Sequence, residues 1–170
     1  MSKPISWSKL FLLAITVIFI IFIIAITKSV MHNRSIAEKK QIIPFLTVET
    51  INGNNKDWFD KKKKVIIIFF NSLCQSCIFE VDNIKQNISL FYDVNLIFIS
   101  DESKQAIHAF SKISSLRNRE NIWWLKMQPE DVYKTFGSIG IPHIWIYDKD
   151  GKLVKEFRGL TRAETLLKWL

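Results

Sequence analysis

The sequence predicts an α/β domain, a central mixed sheet flanked by helices, behind one membrane-spanning helix. Three observations predict this class: an uninterrupted apolar run at residues 10–26, a βαβ half beginning at residue 65, and a ββα half ending at residue 170. With 170 residues and a hydrophobic fraction of 48%, the chain can build one core and carry one appendage.

The run LFLLAITVIFIIFIIAI, residues 10–26, contains one polar side chain, Thr16. It lies at the short end of the roughly 17 to 25 residues that cross a bilayer as a helix. A cleaved signal peptide is the alternative, but the run exceeds the usual apolar core of about 7 to 15 residues. No small-x-small cleavage site follows Ile26. We therefore expect an uncleaved transmembrane anchor in contact with the lipid bilayer, preceded by an N-terminal tail, residues 1–9.

The formal net charge of +8 raises the question of nucleic-acid binding. The excess lies mainly around the anchor, because residues 1–40 hold six Lys/Arg against one Asp/Glu. The dense run Lys61–Lys64 precedes an apolar stretch and is typical of a solvated turn. We expect no nucleic-acid partner. Lysines flank the anchor on both sides, so charge alone leaves its orientation open.

The first half of the domain follows a polar juxtamembrane linker, residues 27–42, that has no sustained periodicity. The folded domain is expected over residues 43–170, opening with a strand-like stretch at Phe45–Val48 and a turn at Asn52–Asn54.

Two apolar runs rich in β-branched residues, 65–70 and 95–100, predict strands buried on both faces. A stripe with helical spacing follows each run: first Cys77, Val81, Ile84 and Ile88, then Ala106, Ile107, Phe110 and Ile113. The alternation of strands and helices predicts parallel pairing.

The second half begins with IWWLKM at 122–127 and a short helix around Glu130–Phe136. HIWIY and KLVKEF flank Asp148–Gly151, which predicts an antiparallel hairpin. Thr161–Glu164 has the Ser/Thr-x-x-Glu pattern of a capping box, so the last helix is expected to begin with Thr161 as its N-cap.

Cys74 and Cys77 are the only cysteines, and they lie where a buried strand gives way to a helix. The free N–H groups and the dipole at a helix N-terminus stabilise a thiolate, which makes Cys74 the candidate nucleophile. Cys77, one turn further, is the candidate resolving thiol. A zinc site would need four ligands, and the three histidines of the chain have no paired spacing. A purely structural disulfide closing so short a loop would add little stability.

Glu80 falls on the helical face of Cys77 and Ile84. If it is desolvated there, its carboxylate would have a raised pKa and could exchange a proton with Cys77. The spacing fits an ordinary, solvent-exposed glutamate equally well.

Pro142 directly precedes a strand and either begins it or makes a turn. His143 could line the site or bind a metal. We favour the alternative, a strand histidine held by a hydrogen bond.

These features resemble the thioredoxin-like proteins of the membrane-anchored TlpA and ResA type, over about residues 43–170. The motifs that carry the resemblance are PFLTVETING, VIIIFF running into Cys74-x-x-Cys77, Glu80, Tyr133 with Phe136-Gly137, Gly140-Ile141-Pro142, Asp148–Gly151, and Gly159.

The resemblance implies a thioredoxin fold with Pro142 in a cis peptide bond packed against the disulfide, and a role for Glu80 in thiol proton transfer. It implies a thiol-disulfide oxidoreductase that has no cofactor beyond the Cys74–Cys77 pair. The N-terminus would be cytoplasmic and the domain periplasmic or otherwise extracytoplasmic, which agrees with disulfide chemistry. The implied activity is reduction of protein disulfides, as in cytochrome c maturation, with electrons from a membrane donor protein.

Three departures from the family pattern bear on the direction of electron flow: Leu73 in place of Trp, Gln75-Ser76 without proline, and His143 in place of Thr. A disulfide oxidase or isomerase therefore stays open as the alternative. A thioredoxin-fold copper chaperone is a weaker one, because such proteins typically space their two cysteines more widely.

Overall fold

The computed structural model describes residues 7–44, 46, 48–51, 62–117, 119–137 and 139–170. The predicted turn at Asn52–Asn54, Lys61 of the lysine run, and residues 1–6 of the expected tail lie outside the described residues.

The domain is built on one six-stranded sheet in the order β1-β4-β3-β2-β5-β6. The strands are β1 (Val48–Thr50), β2 (Lys64–Phe69), β3 (Val94–Ser100), β4 (Ile122–Met127), β5 (His143–Tyr147) and β6 (Leu153–Arg158). Strands β2, β3 and β4 are parallel, whereas β1, β5 and β6 are antiparallel to their neighbours. This is the mixed sheet that the sequence predicts. Of the strand expected at Phe45–Val48, Phe45 and Thr47 lie outside the described residues, and Val48 is the first residue of β1.

The helices are α1 (Trp7–Lys40), α2 (Gln75–Gln86), α3 (Lys104–Ile113), α4 (Pro129–Phe136) and α5 (Ala163–Leu167), with a short 3-10 helix at Ile88–Phe91. Helices α2, α3 and α5 lie on one face of the sheet and α4 on the other. Alternate residues of β2 point to opposite faces, so that Ile66 and Ile68 join the core under α2, α3 and α5, while Val65 and Ile67 join the core with α4. Burial on both faces explains why β2 and β3 are uninterrupted apolar runs.

The anchor and the linker form one continuous helix, α1. Its stretch Leu10–Glu38 is long and apolar enough to cross a membrane, and an 18-residue window within it has a mean hydropathy of 3.2. The large apolar side chains of residues 10–26 are exposed, and no protein element covers them among the described residues. A hydrocarbon phase would cover them, so the helix fits a membrane anchor.

The linker at 27–42 was predicted from its polarity, and its lack of sustained periodicity gave no sign of a helix. It stays helical to Lys40 and ends against the domain, where Ile36 and Lys40 are buried. Beyond the helix, the carbonyl of Gln41 accepts a hydrogen bond from Leu153 N–H at 2.8 Å, and Ile43 N–H donates to the carbonyl of Gly151 at 2.7 Å. The chain thus joins the β5–β6 hairpin before it enters β1.

Two details of the predicted helices are wrong. Ile113, expected on the buried face of α3, is 78% exposed because the helix ends there and Leu116 fills the core instead. Thr161 is not the N-cap of α5; its hydroxyl donates to the carbonyl of Gly159, and Arg162 occupies the cap position. The first N–H of the helix, on Ala163, donates to Asn83 Oδ1 of α2 at 2.6 Å, so the cap is supplied by another helix.

Candidate functional site

The two cysteines lie at the start of α2, directly after β2 and a short turn at Asn71–Leu73. Cys74 is the N-cap residue, and its Sγ accepts a hydrogen bond from the Cys77 backbone N–H at 3.3 Å. Cys74 is partly exposed and Cys77 is buried, and both are free thiols. The geometry therefore gives an incoming disulfide access to Cys74 first.

Cys77 lies in the core below the helix N-terminus and is 1% exposed. Burial raises the pKa of its thiol to about 12, with further contributions from the hydrogen bond with Cys74 and from the negative charges of Cys74 and Glu80. Cys77 is therefore a protonated thiol at neutral pH, and it needs a proton acceptor before it can act as a nucleophile.

Glu80 is fully buried one turn beyond Cys77. Of the two alternatives left open by the sequence, the structure therefore supports a desolvated glutamate and not an exposed one. Among the residues that the structure describes, neither carboxylate oxygen has a hydrogen-bond partner of good geometry. Desolvation raises the pKa of Glu80 to about 8, and the nearby backbone of Thr161 only partly opposes this shift. The carboxyl group is thus mostly protonated at neutral pH and titrates just above it.

Pro142 lies at the same edge of the sheet as the dithiol, because His143, the next residue, pairs with Phe69 at the end of β2. The Ile141–Pro142 peptide bond is cis, as the resemblance implies. The Pro142 carbonyl accepts a hydrogen bond from Gly159 N–H at 2.8 Å, which ties the start of β5 to the end of β6.

His143 is the hydrogen-bonded strand histidine that we favoured from the sequence. Its Nε2 lies 2.7 Å from Glu156 Oε1, and its ring stacks on that of Trp145 with centroids 4.3 Å apart. Desolvation lowers the pKa of His143, and the hydrogen bond to Glu156 opposes this shift. No group of three or more His, Cys, Asp or Glu within the described ranges is arranged to hold a metal ion.

The sequence analysis missed a carboxylate that holds the turn before Cys74. Glu102 accepts hydrogen bonds from the backbone N–H and the hydroxyl of Ser72, both at 2.7 Å, and from the hydroxyl of Ser100 at 3.1 Å. A signal was available: Ser72 follows β2 and Glu102 follows β3, and adjacent parallel strands end at the same edge. Glu102 thereby fixes the turn that presents Cys74.

Comparison with known proteins identifies the class. Residues 56–170 match the family described as a thioredoxin-like domain, and the chain belongs to that family. Together the family, the mixed sheet and the Cys74-x-x-Cys77 pair at the start of α2 define a thiol-disulfide oxidoreductase.

Within that class the chain is similar to proteins of the ResA type. It is 26% identical over 131 residues to the thiol-disulfide oxidoreductase ResA of Bacillus thuringiensis subsp. konkukian, covering 75% of this chain and 73% of that protein. Among solved structures, StoA from Bacillus subtilis superposes with a TM-score of 0.58 at 23% identity, over 74% of this chain and 94% of StoA. A thiol:disulfide interchange protein from Bacteroides sp. gives a TM-score of 0.58 at 20% identity, over 76% and 85% of the two chains.

Proposed function

We propose that this protein reduces disulfides of extracytoplasmic proteins through Cys74 and Cys77. The observation that carries the dithiol chemistry is the asymmetry of the pair: a partly exposed Cys74 lies at the helix N-cap, and Cys77 is buried. The reductive direction rests on the resemblance to the TlpA and ResA type. The Cys74 thiolate attacks a substrate disulfide, forms a mixed disulfide and releases the first substrate sulfur as a thiolate.

Glu80 serves the second step of this mechanism. Its ionised form accepts the proton of Cys77, whose sulfur then attacks Cys74 Sγ, forms the Cys74–Cys77 disulfide and releases the second substrate thiolate. Two electrons pass to the substrate, and a membrane donor protein returns two electrons to the pair. Since the pKa of Glu80 is about 8, its ionised fraction rises steeply between neutral and mildly alkaline pH.

The surface around the dithiol suits a protein substrate. Leu73, next to Cys74, is 88% exposed, and Ile141, next to Pro142, is 42% exposed. Exposed apolar side chains next to Cys74 and next to Pro142 offer contacts to a polypeptide that a small thiol would not use. We therefore assign Pro142 a role in positioning the substrate, because it adjoins Ile141 on this surface.

The resemblance to the TlpA and ResA type, together with the apolar helix, supports an N-in, C-out anchor and a role in cytochrome c maturation. The ResA relative is itself named a thiol-disulfide oxidoreductase. The Gln75-Ser76 dipeptide and His143 depart from the family pattern at positions that adjust redox potential, so an oxidase or isomerase running the same steps in reverse is the competing proposal.

Trapping tests the mechanism and the direction together. In cells that express Cys77→Ser, the mixed disulfide cannot be resolved, and we expect extracytoplasmic proteins to remain attached to Cys74. The matched control, Cys74→Ser, should trap none of them. Acid quenching of the wild type should find the pair mainly as dithiol if the protein is a reductase. A pair found mainly as disulfide would favour the oxidase, and adducts formed through Cys77 would contradict the assignment of roles.

A further inference from the structure

The end of the anchor helix packs on the segment that leads to Pro142. His32 stacks on the ring of Tyr133 in α4, with centroids 5.8 Å apart and planes 25° apart. One turn later Ile36 is 5% exposed, and a Cβ added to Gly137 would lie only 3.4 Å from its Cδ1. Gly137 ends α4 with a φ of 80° and begins the loop to Pro142.

A chain of polar contacts continues from this helix into β5. Lys40 Nζ lies 3.4 Å from Glu156 Oε1, and the same oxygen lies 2.7 Å from His143 Nε2. Lys40 is the only buried Lys or Arg among the described residues. The guanidinium of Arg158 is 3.8 Å from Glu156 Oε1, but its side chain is 80% exposed. Lys40 is therefore the counterion that water screens least.

The charge states of the cluster follow from its burial. Burial would raise the pKa of Glu156, but the hydrogen bond with His143 and the charge of Lys40 outweigh it and lower that pKa. Glu156 is thus ionised, and a neutral His143 donates its Nε2–H to the carboxylate. Without Lys40, a half-buried carboxylate would lose its counterion and would gain by turning towards solvent, which releases the imidazole.

We propose that residues 32–40 of the anchor helix form part of the Pro142 side of the active site, with Lys40 and Glu156 as positioning residues. They hold the His143 ring and, through the backbone, the start of β5 and the adjoining Pro142. The inference rests on the proposed function. It assigns to the juxtamembrane end of the helix a part in substrate binding, in addition to anchoring.

The test uses the full-length protein in detergent micelles and two disulfide probes. Insulin disulfides must be bound as polypeptide, whereas 5,5′-dithiobis(2-nitrobenzoate) needs only an accessible Cys74. We expect Lys40→Met and Glu156→Gln each to raise KM for insulin about tenfold, with the small probe changed less than twofold. The double variant should be no worse than either single one, because both substitutions break one network. Lys40→Arg should restore KM to within about twofold of the wild type.

The matched control is Lys63→Met, which removes a lysine paired with Asp93 at 3.6 Å, next to the opposite end of β2. It should leave both reactions unchanged. A KM for insulin in Lys40→Met equal to that of Lys63→Met would overturn the inference, as would equal losses with both probes.

A measurement independent of activity separates this inference from the proposed function. The Nε2–H proton of His143 should exchange slowly in the NMR spectra of wild type and Lys63→Met, and rapidly in Lys40→Met. If the wild type reduced neither disulfide, the proposed function would fall while this exchange pattern still reported on the network. Slow exchange retained in Lys40→Met would show that Lys40 does not hold His143.

Discussion

Replacing Glu80 with Gln should change how stability depends on pH. In the folded protein Glu80 is fully buried without a hydrogen-bond partner of good geometry among the described residues, and its pKa is about 8 against an ordinary value of 4.5. The folded state therefore keeps a proton on Glu80 at pH values where the unfolded chain has lost it. Gln has a similar shape and no proton to lose.

The magnitude follows from proton linkage. Below the ordinary pKa both states of the wild type are protonated, and the group has little pH-dependent effect. As pH rises from about 4.5 to about 8, the unfolded state alone ionises, which destabilises the fold by about 1.4 kcal/mol per pH unit. This amounts to about 3 kcal/mol at pH 7 and about 5 kcal/mol above pH 8. Glu80→Gln removes the effect, so its advantage in stability over the wild type should grow across this window.

The assay is equilibrium urea unfolding of the reduced full-length protein in detergent, at pH values from 5 to about 8.5, below the titration of Cys77. Glu164→Gln, at an exposed position in α5, is the matched control and should track the wild type. A stability difference between Glu80→Gln and wild type that stays constant with pH would refute the reasoning. It would mean that Glu80 ionises in the folded state as readily as in the unfolded state.

Three further predictions follow from the site. Iodoacetamide at neutral pH should alkylate Cys77→Ser far faster than Cys74→Ser, because Cys77 is buried and its pKa is raised to about 12; faster modification of Cys77 would reverse the roles. Glu102→Gln should lower the free energy of unfolding by about 1 to 2 kcal/mol and reduce kcat, because the Ser72 turn loses a charged acceptor; unchanged kinetics would make that contact purely structural. Asn83→Ala should lower stability by about 1 kcal/mol by leaving Ala163 N–H uncapped, without changing reactivity at Cys74; no loss of stability would show that water replaces the cap.

Much of the fold was readable from the sequence because the signals are local. The buried strands β2 and β3 are uninterrupted apolar runs, and the position of Cys74 at a helix start follows from the stripe through Cys77 and Ile84. For Glu80, helical spacing gave the correct face, but its burial depended on what packs above that face.

The features that sequence reasoning missed depend on contacts between distant segments. The hydrogen bond that caps α5 comes from Asn83, eighty residues earlier in the chain. It replaces the local cap that the sequence pattern at Thr161 predicted. The hydrogen bonds from Ser72 to Glu102 can be predicted only if β2 and β3 are known to be neighbours. The end of α1 is too polar to show a periodic stripe, and its burial at Ile36 and Lys40 depends on α4 and β6.

With residues 10–26 in a membrane, the unbroken helix to Lys40 would limit how the domain can move relative to that membrane. Residues 27–31 lie between the apolar run and the part of the helix that packs on the domain, and they rise about 7 Å at 1.5 Å per residue without a break in the helix, so they would act as a rigid spacer rather than a flexible tether. A domain on a flexible tether can tilt and swing above the membrane surface. A domain on a rigid spacer would stay at a fixed height and would meet partners by lateral diffusion and by rotation about the helix axis. Inserting two residues after Lys28 would turn the domain by about 200° about that axis. The insertion would therefore change which side of the domain faces a partner in the same membrane.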